Sequence, residues 1–151
     1  MYKTRRDALK TTGALATLVS LGVITQSQAH AALDRASFEV KTMADALKAV
    51  GGTPANSDQV TVVAPDIAEN GAVVPIGASS KVPNTTEIFL IVEKNPMPLA
   101  AAFTIPAGTV ADVSTRLKMG QSSNVIAVVK ADGKLLSATK ETKVTLGGCG
   151  G

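Results

Sequence analysis

The chain has 151 residues and a formal net charge of +3, and this length fits one small domain. It contains one histidine, one cysteine and no tryptophan, and aromatic residues make up only 3% of it. These counts argue against zinc and haem sites with several Cys or His ligands, against histidine-dependent nucleophilic catalysis and against an internal disulfide. The lone Cys149, two residues from the end of the sequence, is therefore the feature that a functional hypothesis has to explain.

The excess positive charge is concentrated at the N-terminus. Four of the 15 basic residues and one of the 12 acidic residues precede Ala32, which leaves 11 of each sign from there on. A protein that binds nucleic acid or an anionic membrane surface would carry its basic excess on the folded domain. We therefore expect neither of these partners.

Residues 1–31 have the three zones of an export signal: a charged start, the apolar stretch 14–24 and the small-residue ending 26–31. As a helix the apolar stretch would rise only about 16 Å, about half of what a bilayer core requires. We therefore expect a cleaved signal and no membrane anchor. An ordinary N-terminal amphipathic helix is the less favoured interpretation, because the three zones occur in the order of a signal.

The charged zone contains a twin-arginine motif. Arg5 and Arg6 are adjacent, and they are followed by the apolar Leu9 and by Lys10, although Ala8 stands where a Phe is usual. Signals of this type export folded proteins. We therefore expect the mature protein in the bacterial periplasm.

Two small-x-small sites are candidates for cleavage, Ser27-Gln28-Ala29 and Ala29-His30-Ala31. The second is preferred and leaves a mature chain that begins at Ala32. The sequence then divides into four predicted segments: a signal peptide over 1–31, an N-terminal helix and linker over 32–53, a β-sandwich over 54–146 and a C-terminal arm over 147–151.

The mature chain begins with one predicted helix. After the acidic Asp34, apolar side chains recur at spacings of three and four, and Gly51-Gly52 closes the segment. This pattern predicts a helix over Asp34–Val50.

Seven short apolar or alternating runs follow, separated by turn residues such as Asn70-Gly71 and Asp132-Gly133. The runs are Gln59–Ala64, Ala72–Ser79, Glu87–Glu93, Leu99–Ile105, Val110–Met119, Asn124–Lys130 and Lys134–Leu146. About seven strands behind one helix predict an antiparallel β-sandwich of the immunoglobulin type. At Asp132-Gly133 we expect a tight hairpin.

The core of this sandwich must be mainly aliphatic, because the chain contains only three Phe. In Val113–Met119, apolar residues alternate with Ser114, Arg116 and Lys118, which indicates one buried and one solvated face. The run Ile88–Val92 is apolar on both faces, so it must be central or covered, and it indicates where a partner could be needed. A bound subunit would relieve this thin core; alternatively, aliphatic residues suffice for a monomer.

The chain ends in Gly147-Gly148-Cys149-Gly150-Gly151, behind Leu146, the last residue that could bury a side chain in a strand. We expect a flexible and narrow arm that carries the thiol about 10 Å beyond Leu146. The nearest charged residue in sequence is Lys143, and no histidine is present to accept the proton, so an ordinary thiol here is mostly protonated at neutral pH. The arm is therefore suited to delivering a thiol, and we hypothesise that partner enzymes activate it.

Other roles fit this ending less well. A disordered tail would leave an unused thiol in an oxidising compartment, and a prenylation signal needs three residues after its cysteine. A lipoprotein anchor needs its cysteine at the signal-cleavage site, and ubiquitin-like sulfur carriers are activated with ATP in the cytoplasm. A thiol–disulfide enzyme normally needs a second cysteine, whereas a structural periplasmic module needs no thiol. A thiol-redox module and a structural module stay as the alternatives.

The signal, the strand-rich body and the Gly-Gly-Cys-Gly-Gly ending together resemble the SoxY family, the sulfur-carrier subunits of the Sox thiosulfate-oxidising system. Segments that share in the resemblance are Phe38–Gly52, Ala64–Pro75, Val92–Ala101 and Val144–Gly151. The resemblance implies an immunoglobulin-like sandwich that carries thiosulfate-derived intermediates covalently on Cys149, as a cysteine S-thiosulfonate. It also implies a protein that is not an enzyme and that binds no metal or other cofactor.

The resemblance further implies a set of partners. A SoxZ subunit would form a heterodimer with this chain, and a haem-containing SoxXA oxidoreductase would join thiosulfate to the thiol. The manganese hydrolase SoxB would release sulfate, and in some organisms a sulfane dehydrogenase oxidises the remaining sulfur.

Overall fold

The computed structural model describes residues 35–145 and shows a mainly β protein. A short 3-10 helix, Arg35–Glu39, precedes the α-helix α1, Met43–Val50. The strands are β1 (Ala55–Asn56), β2 (Val60–Val63), β3 (Ile67–Ala68), β4 (Val74–Ser80), β5 (Thr85–Val92), β6 (Leu99–Thr104), β7 (Asp112–Leu117), β8 (Ser123–Ala131) and β9 (Lys134–Val144).

These strands form two sheets with a shared aliphatic core. The larger sheet has the order β1-β9-β8-β5-β6, with β3 also paired to β9, and the smaller sheet has the order β2-β4-β7. Within the described residues the pairings are antiparallel, except for the short parallel pairings of β9 with β1 and with β3. Ile76 of the smaller sheet and Ile88 and Leu90 of the larger one are at most 1% exposed in the core between them. The predicted immunoglobulin-like antiparallel sandwich is confirmed.

Each of the seven predicted runs overlaps one strand, and β1 and β3 are the two strands that sequence analysis missed. Both are only two residues long and pair with β9. So short a segment carries no alternation of apolar and polar residues, and pairing with a distant strand is what makes it a strand.

The predicted hairpin between β8 and β9 is confirmed. Ala131 pairs with Lys134, and the two residues between them have positive φ angles, 49° at Asp132 and 72° at Gly133. Positive φ at both central positions is the mark of a type I′ turn, whose twist matches that of the adjoining strands. The turn fixes the register of β9 against β8.

The predicted helix over Asp34–Val50 is wrong in its first half. The α-helix starts directly after Thr42, whose backbone is extended and whose Oγ1 accepts a hydrogen bond from the Asp45 N–H at 3.1 Å. Thr42 is thus an N-cap, which excludes it from the helix itself. Sequence analysis missed this start because Val40 continues the helical period ahead of the cap. The end is as predicted, at Gly51, whose φ of 118° suits glycine.

Both faces of β5 are buried, as its doubly apolar sequence predicts. Ile88 and Leu90 face the core between the sheets, whereas Phe89 and Ile91 pack on the other side against α1, which contributes the buried Ala46. The cover is therefore a helix of the same chain. The inference that this strand marks a face in need of a partner was wrong.

Within residues 35–145, no helix has both the length and the apolar character needed to cross a bilayer.

Candidate functional site

The predicted attachment site and signal motif lie outside the described residues. They comprise Cys149, the arm glycines Gly147, Gly148, Gly150 and Gly151, and the signal arginines Arg5 and Arg6. The structure does describe the segment that leads into the arm, which is the end of β9. This segment determines where on the domain the thiol is attached.

On one side, β8 and the residue before it hold the end of β9. The antiparallel pairing with β8 reaches Thr142, opposite Ser123. One step further, the Val144 N–H donates to the Oγ of Ser122 at 2.9 Å, so the side chain of the residue just before β8 extends the pairing beyond the first residue of that strand. The strand is therefore held by β8, and then by Ser122, as far as Val144.

On its other side, the end of β9 is held by the connection between β2 and β4. The Lys143 N–H donates to the carbonyl of Asp66 at 2.9 Å, and the Thr145 N–H donates to the carbonyl of Ala68 at 3.1 Å. These backbone bonds belong to the β3–β9 pairing. The chain is thus fixed up to Thr145, four residues before Cys149, and four residues span at most about 14 Å.

Gly71, in the same connection, packs directly against this anchor. Its carbonyl accepts a hydrogen bond from the Met119 N–H at 2.7 Å. A Cβ at position 71 would lie 2.5 Å from the Met119 carbonyl oxygen and 2.8 Å from Cγ1 of Val144. Because real Cβ atoms do not approach other atoms so closely, only glycine fits here. The predicted Asn70-Gly71 turn therefore has a second role, close packing beside the end of β9.

The surroundings of the anchor carry charges of both signs. Asp66 forms an ion pair with Lys140 at 3.1 Å, and the exposed charged residues nearby in the chain include the acidic Glu69 and Glu141 and the basic Lys143. Within residues 35–145 there is no cluster of His, Cys, Asp and Glu side chains that could hold a metal ion. This part of the domain offers a firm attachment point with no strong field of one sign.

Sequence analysis identified the thiol but missed the residues that fix the base of its arm. Ser122 sits in a serine-rich turn that gives no sign of its bond to Val144. Asp66 and Ala68 act through their backbone carbonyls, which every residue type possesses. The Asn70-Gly71 pair was the one available signal, and it indicated a turn only.

Comparison with known proteins gives a family and two informative structures. The family model described as sulfur oxidation protein SoxY matches residues 46–149, a range that includes Cys149. A superoxide reductase (neelaredoxin) from Ignicoccus hospitalis is 22% identical with a TM-score of 0.51, over 58% of this chain and 80% of that chain. At this identity the likeness shows the fold alone. No curated protein sequence gives a significant match.

The second structure is the sulfur carrier protein SoxY from Chlorobium limicola f thiosulfatophilum. It is 36% identical to this chain, with a TM-score of 0.61, and the match covers 68% of this chain and 94% of that one. The structural match agrees with the sandwich, and the range of the family match extends to residue 149. The chain therefore belongs to the SoxY family, the sulfur carriers of sulfur oxidation.

Proposed function

We propose that this protein is a periplasmic carrier that holds thiosulfate-derived sulfur covalently on Cys149 and presents it to partner enzymes. The observation that carries the proposal is the position of the thiol. The family match extends to the only cysteine of the chain, and that cysteine lies four residues beyond an anchor made by Ser122, Asp66 and Ala68. A short glycine-rich tether on a fixed base is what delivery into an active site requires.

The chemistry on Cys149 would take place in two steps. The thiolate and thiosulfate form a sulfur–sulfur bond, giving a cysteine S-thiosulfonate and releasing two electrons to a haem-containing oxidoreductase. Water then attacks the terminal sulfone, which leaves as sulfate with release of protons, and a persulfide stays on Cys149. The carrier contributes the nucleophile and the attachment point in both steps, and it catalyses neither.

The activating groups would come from the partners. The only histidine of the chain, His30, is in the predicted signal, so the mature protein would have no imidazole to accept the thiol proton. We therefore expect alkylation of Cys149 in the free carrier to accelerate steeply with pH across the neutral range, as it does for an unperturbed thiol. An alkylation rate as high at pH 6 as at pH 9 would show that the carrier activates its own thiol.

The partners would be those of the Sox system. We propose a heterodimer with SoxZ, loading by the haem protein SoxXA and hydrolysis by SoxB, with a sulfane dehydrogenase in organisms that have one. The carrier itself would need no cofactor. Export by the twin-arginine pathway, through Arg5 and Arg6, would place it in the periplasm with these enzymes.

Intact-mass spectrometry of the carrier purified from cells growing on thiosulfate tests the proposal. We expect adducts of thiosulfate-derived sulfur on Cys149 that disappear on reduction, and we expect the Cys149→Ser variant to be unmodified and inactive in thiosulfate oxidation. An unmodified thiol under turnover would count against a carrier. Full activity of Cys149→Ser would favour a structural module instead, and a thiol-redox module would show disulfide exchange without a sulfur adduct.

A further inference from the structure

Strand β7 is an edge of the smaller sheet, whose order is β2-β4-β7. Within residues 35–145 it pairs with β4 on one side and with no strand on the other. The open side of an edge strand presents backbone N–H and C=O groups that a further strand can pair with. The β7 edge is therefore available to another chain.

The hydrogen bonds to β4 determine which residues of β7 present these groups. The Ser80 N–H donates to the carbonyl of Ala111 at 2.8 Å, in the register that continues the β4–β7 pairing. In an antiparallel pair the hydrogen-bonded positions alternate along each strand. Every second residue of β7 from Val113 onward therefore faces β4 with its backbone groups. The residues that direct theirs outward are Asp112, Ser114 and Arg116.

The side chains of these three outward residues are exposed, and they alternate with Val113 and Leu117, which pack on the core. Asp112 is negative and Arg116 is positive, and each lies two residues from Ser114. Neither takes part in an ion pair among the described residues. The β7 edge thus carries charges that change sign about its central residue.

A second copy of this edge meets these charges with the opposite sign. When two β7 strands pair antiparallel with Ser114 opposite Ser114, the Asp112 of each copy lies opposite the Arg116 of the other. Hydrogen-bonded neighbours of this kind have their Cα atoms about 5.5 Å apart, and opposite charges placed there attract each other. An in-register parallel pairing would instead place like charges opposite each other. The charges therefore favour the antiparallel arrangement centred on Ser114.

The same arrangement satisfies the outward backbone groups. The Ser114 N–H of each copy would donate to the Ser114 carbonyl of the other, and the Arg116 N–H to the Asp112 carbonyl of the other. Each bond would occur twice, because a two-fold axis relates the copies. The Asp112 N–H is not required, since it donates to the carbonyl of Val110 at 3.0 Å within its own chain.

Charged residues on edge strands commonly prevent such pairing. That role suits charges of one sign, which repel a second copy of the same strand. Asp112 and Arg116 have opposite signs and are equally distant from Ser114, so they attract a second copy in the arrangement centred on that residue. The charge pattern is therefore that of a strand that pairs with itself.

We infer that the β7 edge is a self-association surface, through which two copies of this chain join their smaller sheets into one continuous sheet. The inference is independent of the chemistry of Cys149. One strand from each copy makes a small contact, so the association should be weak and reversible. Because exposed charge pairs contribute to it, the association should weaken as the salt concentration rises.

The test measures the mass of the full chain, as the cell processes it, by sedimentation equilibrium. A reducing agent prevents a disulfide between two Cys149 residues, and any co-purifying subunit is retained. We expect the mass to double as the protein concentration rises, with a dissociation constant that increases with salt. Arg116→Asp and Asp112→Arg should each raise this constant at least about tenfold, because two attractive pairs become two repulsive pairs.

An equimolar mixture of these two variants is the decisive measurement. The two acidic residues of one variant then lie opposite the two arginines of the other, and we expect the doubling to return to the wild-type level. Lys134→Asp is the matched control, since Lys134 is an exposed basic residue at the start of β9 in the larger sheet. This variant should keep the wild-type dissociation constant.

Several outcomes would overturn the inference. Among them are no doubling of the mass up to about 1 mM protein, wild-type association of Arg116→Asp, and a mixture that stays unassociated although urea unfolding shows both variants to be folded. An equal loss in Lys134→Asp would show a general effect of net charge. Loss of a different, co-purifying subunit from Arg116→Asp would assign the β7 edge to that subunit.

Discussion

At the scale of single residues, Gly71 and Thr142 have the sharpest constraints near the arm. At Gly71 there is too little room for any side chain, because Met119 and Val144 surround the α-carbon. At Thr142 the constraint is electrostatic, because a polar side-chain atom is buried without a hydrogen-bond partner among the described residues. Its side chain is 0% exposed, and its Oγ1 has no hydrogen-bond partner among the described residues.

We predict that Gly71→Ala lowers the free energy of unfolding by about 1–3 kcal/mol, because the new Cβ forces Met119 or Val144 to move. Urea denaturation measures the change. Gly120→Ala is the control, since a Cβ at that position meets nothing within 4 Å and its φ is not in the positive range. Equal stability of the two variants would contradict the close packing at Gly71.

We predict that Thr142→Val leaves the free energy of unfolding unchanged or raises it by up to about 1 kcal/mol, because a buried hydroxyl without a partner costs desolvation energy. Ser123→Ala is the contrasting variant. Its hydroxyl is also buried, but it accepts from the Lys94 N–H at 3.0 Å, so its loss should be destabilising. Clear destabilisation by Thr142→Val would mean that the Thr142 hydroxyl does have a partner.

At the scale of elements, the anchoring of β9 is the feature that links the fold to the arm. β9 is held by β8 and Ser122 on one side and by β3 on the other, and its last bond is made by Thr145. Each side makes only part of the attachment, since β3 is two residues long and β8 begins at Ser123.

We predict that Ser122→Ala loosens the end of β9 without unfolding the domain. Without the Ser122 hydroxyl, the Val144 N–H loses its acceptor, and its amide should exchange with solvent about tenfold faster, which corresponds to one ordinary hydrogen bond. Hydrogen exchange followed by NMR measures this. Amides in the middle of β8 serve as the internal control, and acceleration there as well would indicate global destabilisation.

The sequence alone predicted those elements whose own residues show a regular alternation of apolar and polar side chains or a specific turn motif. The seven main strands and the Asp132-Gly133 hairpin follow from alternation and from turn chemistry. The helix start was wrong because the cap at Thr42 interrupts an apolar period that continues through Val40. β1 and β3 were missed because tertiary pairing with β9 creates them. At the candidate site, the thiol could be found from composition, but an anchor made of backbone carbonyls has no residue signature.

At the scale of the whole molecule, the residues that build the folded core and the residues proposed to deliver sulfur belong to separate parts of the chain. The described domain buries both faces of β5 with its own two sheets and α1. The predicted arm consists of a thiol and four glycines, and it follows the last described strand in sequence. Substitutions in the arm should therefore alter turnover by partner enzymes and leave the free energy of unfolding of the domain unchanged.

We predict that Gly147→Val combined with Gly150→Val slows turnover by partner enzymes at least about tenfold, because branched side chains widen and stiffen the segment that must enter a narrow cleft. The urea midpoint and the rate of Cys149 alkylation by a small reagent should stay at the wild-type values. Normal turnover by the double variant would refute the requirement for a narrow arm.

The firm anchor at Thr145 has a kinetic consequence. Because four residues span at most about 14 Å, a thiol on the proposed arm would sample a hemisphere around Thr145, which is equivalent to a local concentration of about 0.3 M. Under the proposed function, the cleft of a docked partner would meet the sulfur at this concentration and would need little intrinsic affinity for it. Low affinity for the bound sulfur would permit rapid release, so the same carrier molecule could pass from one enzyme to the next without a slow dissociation step.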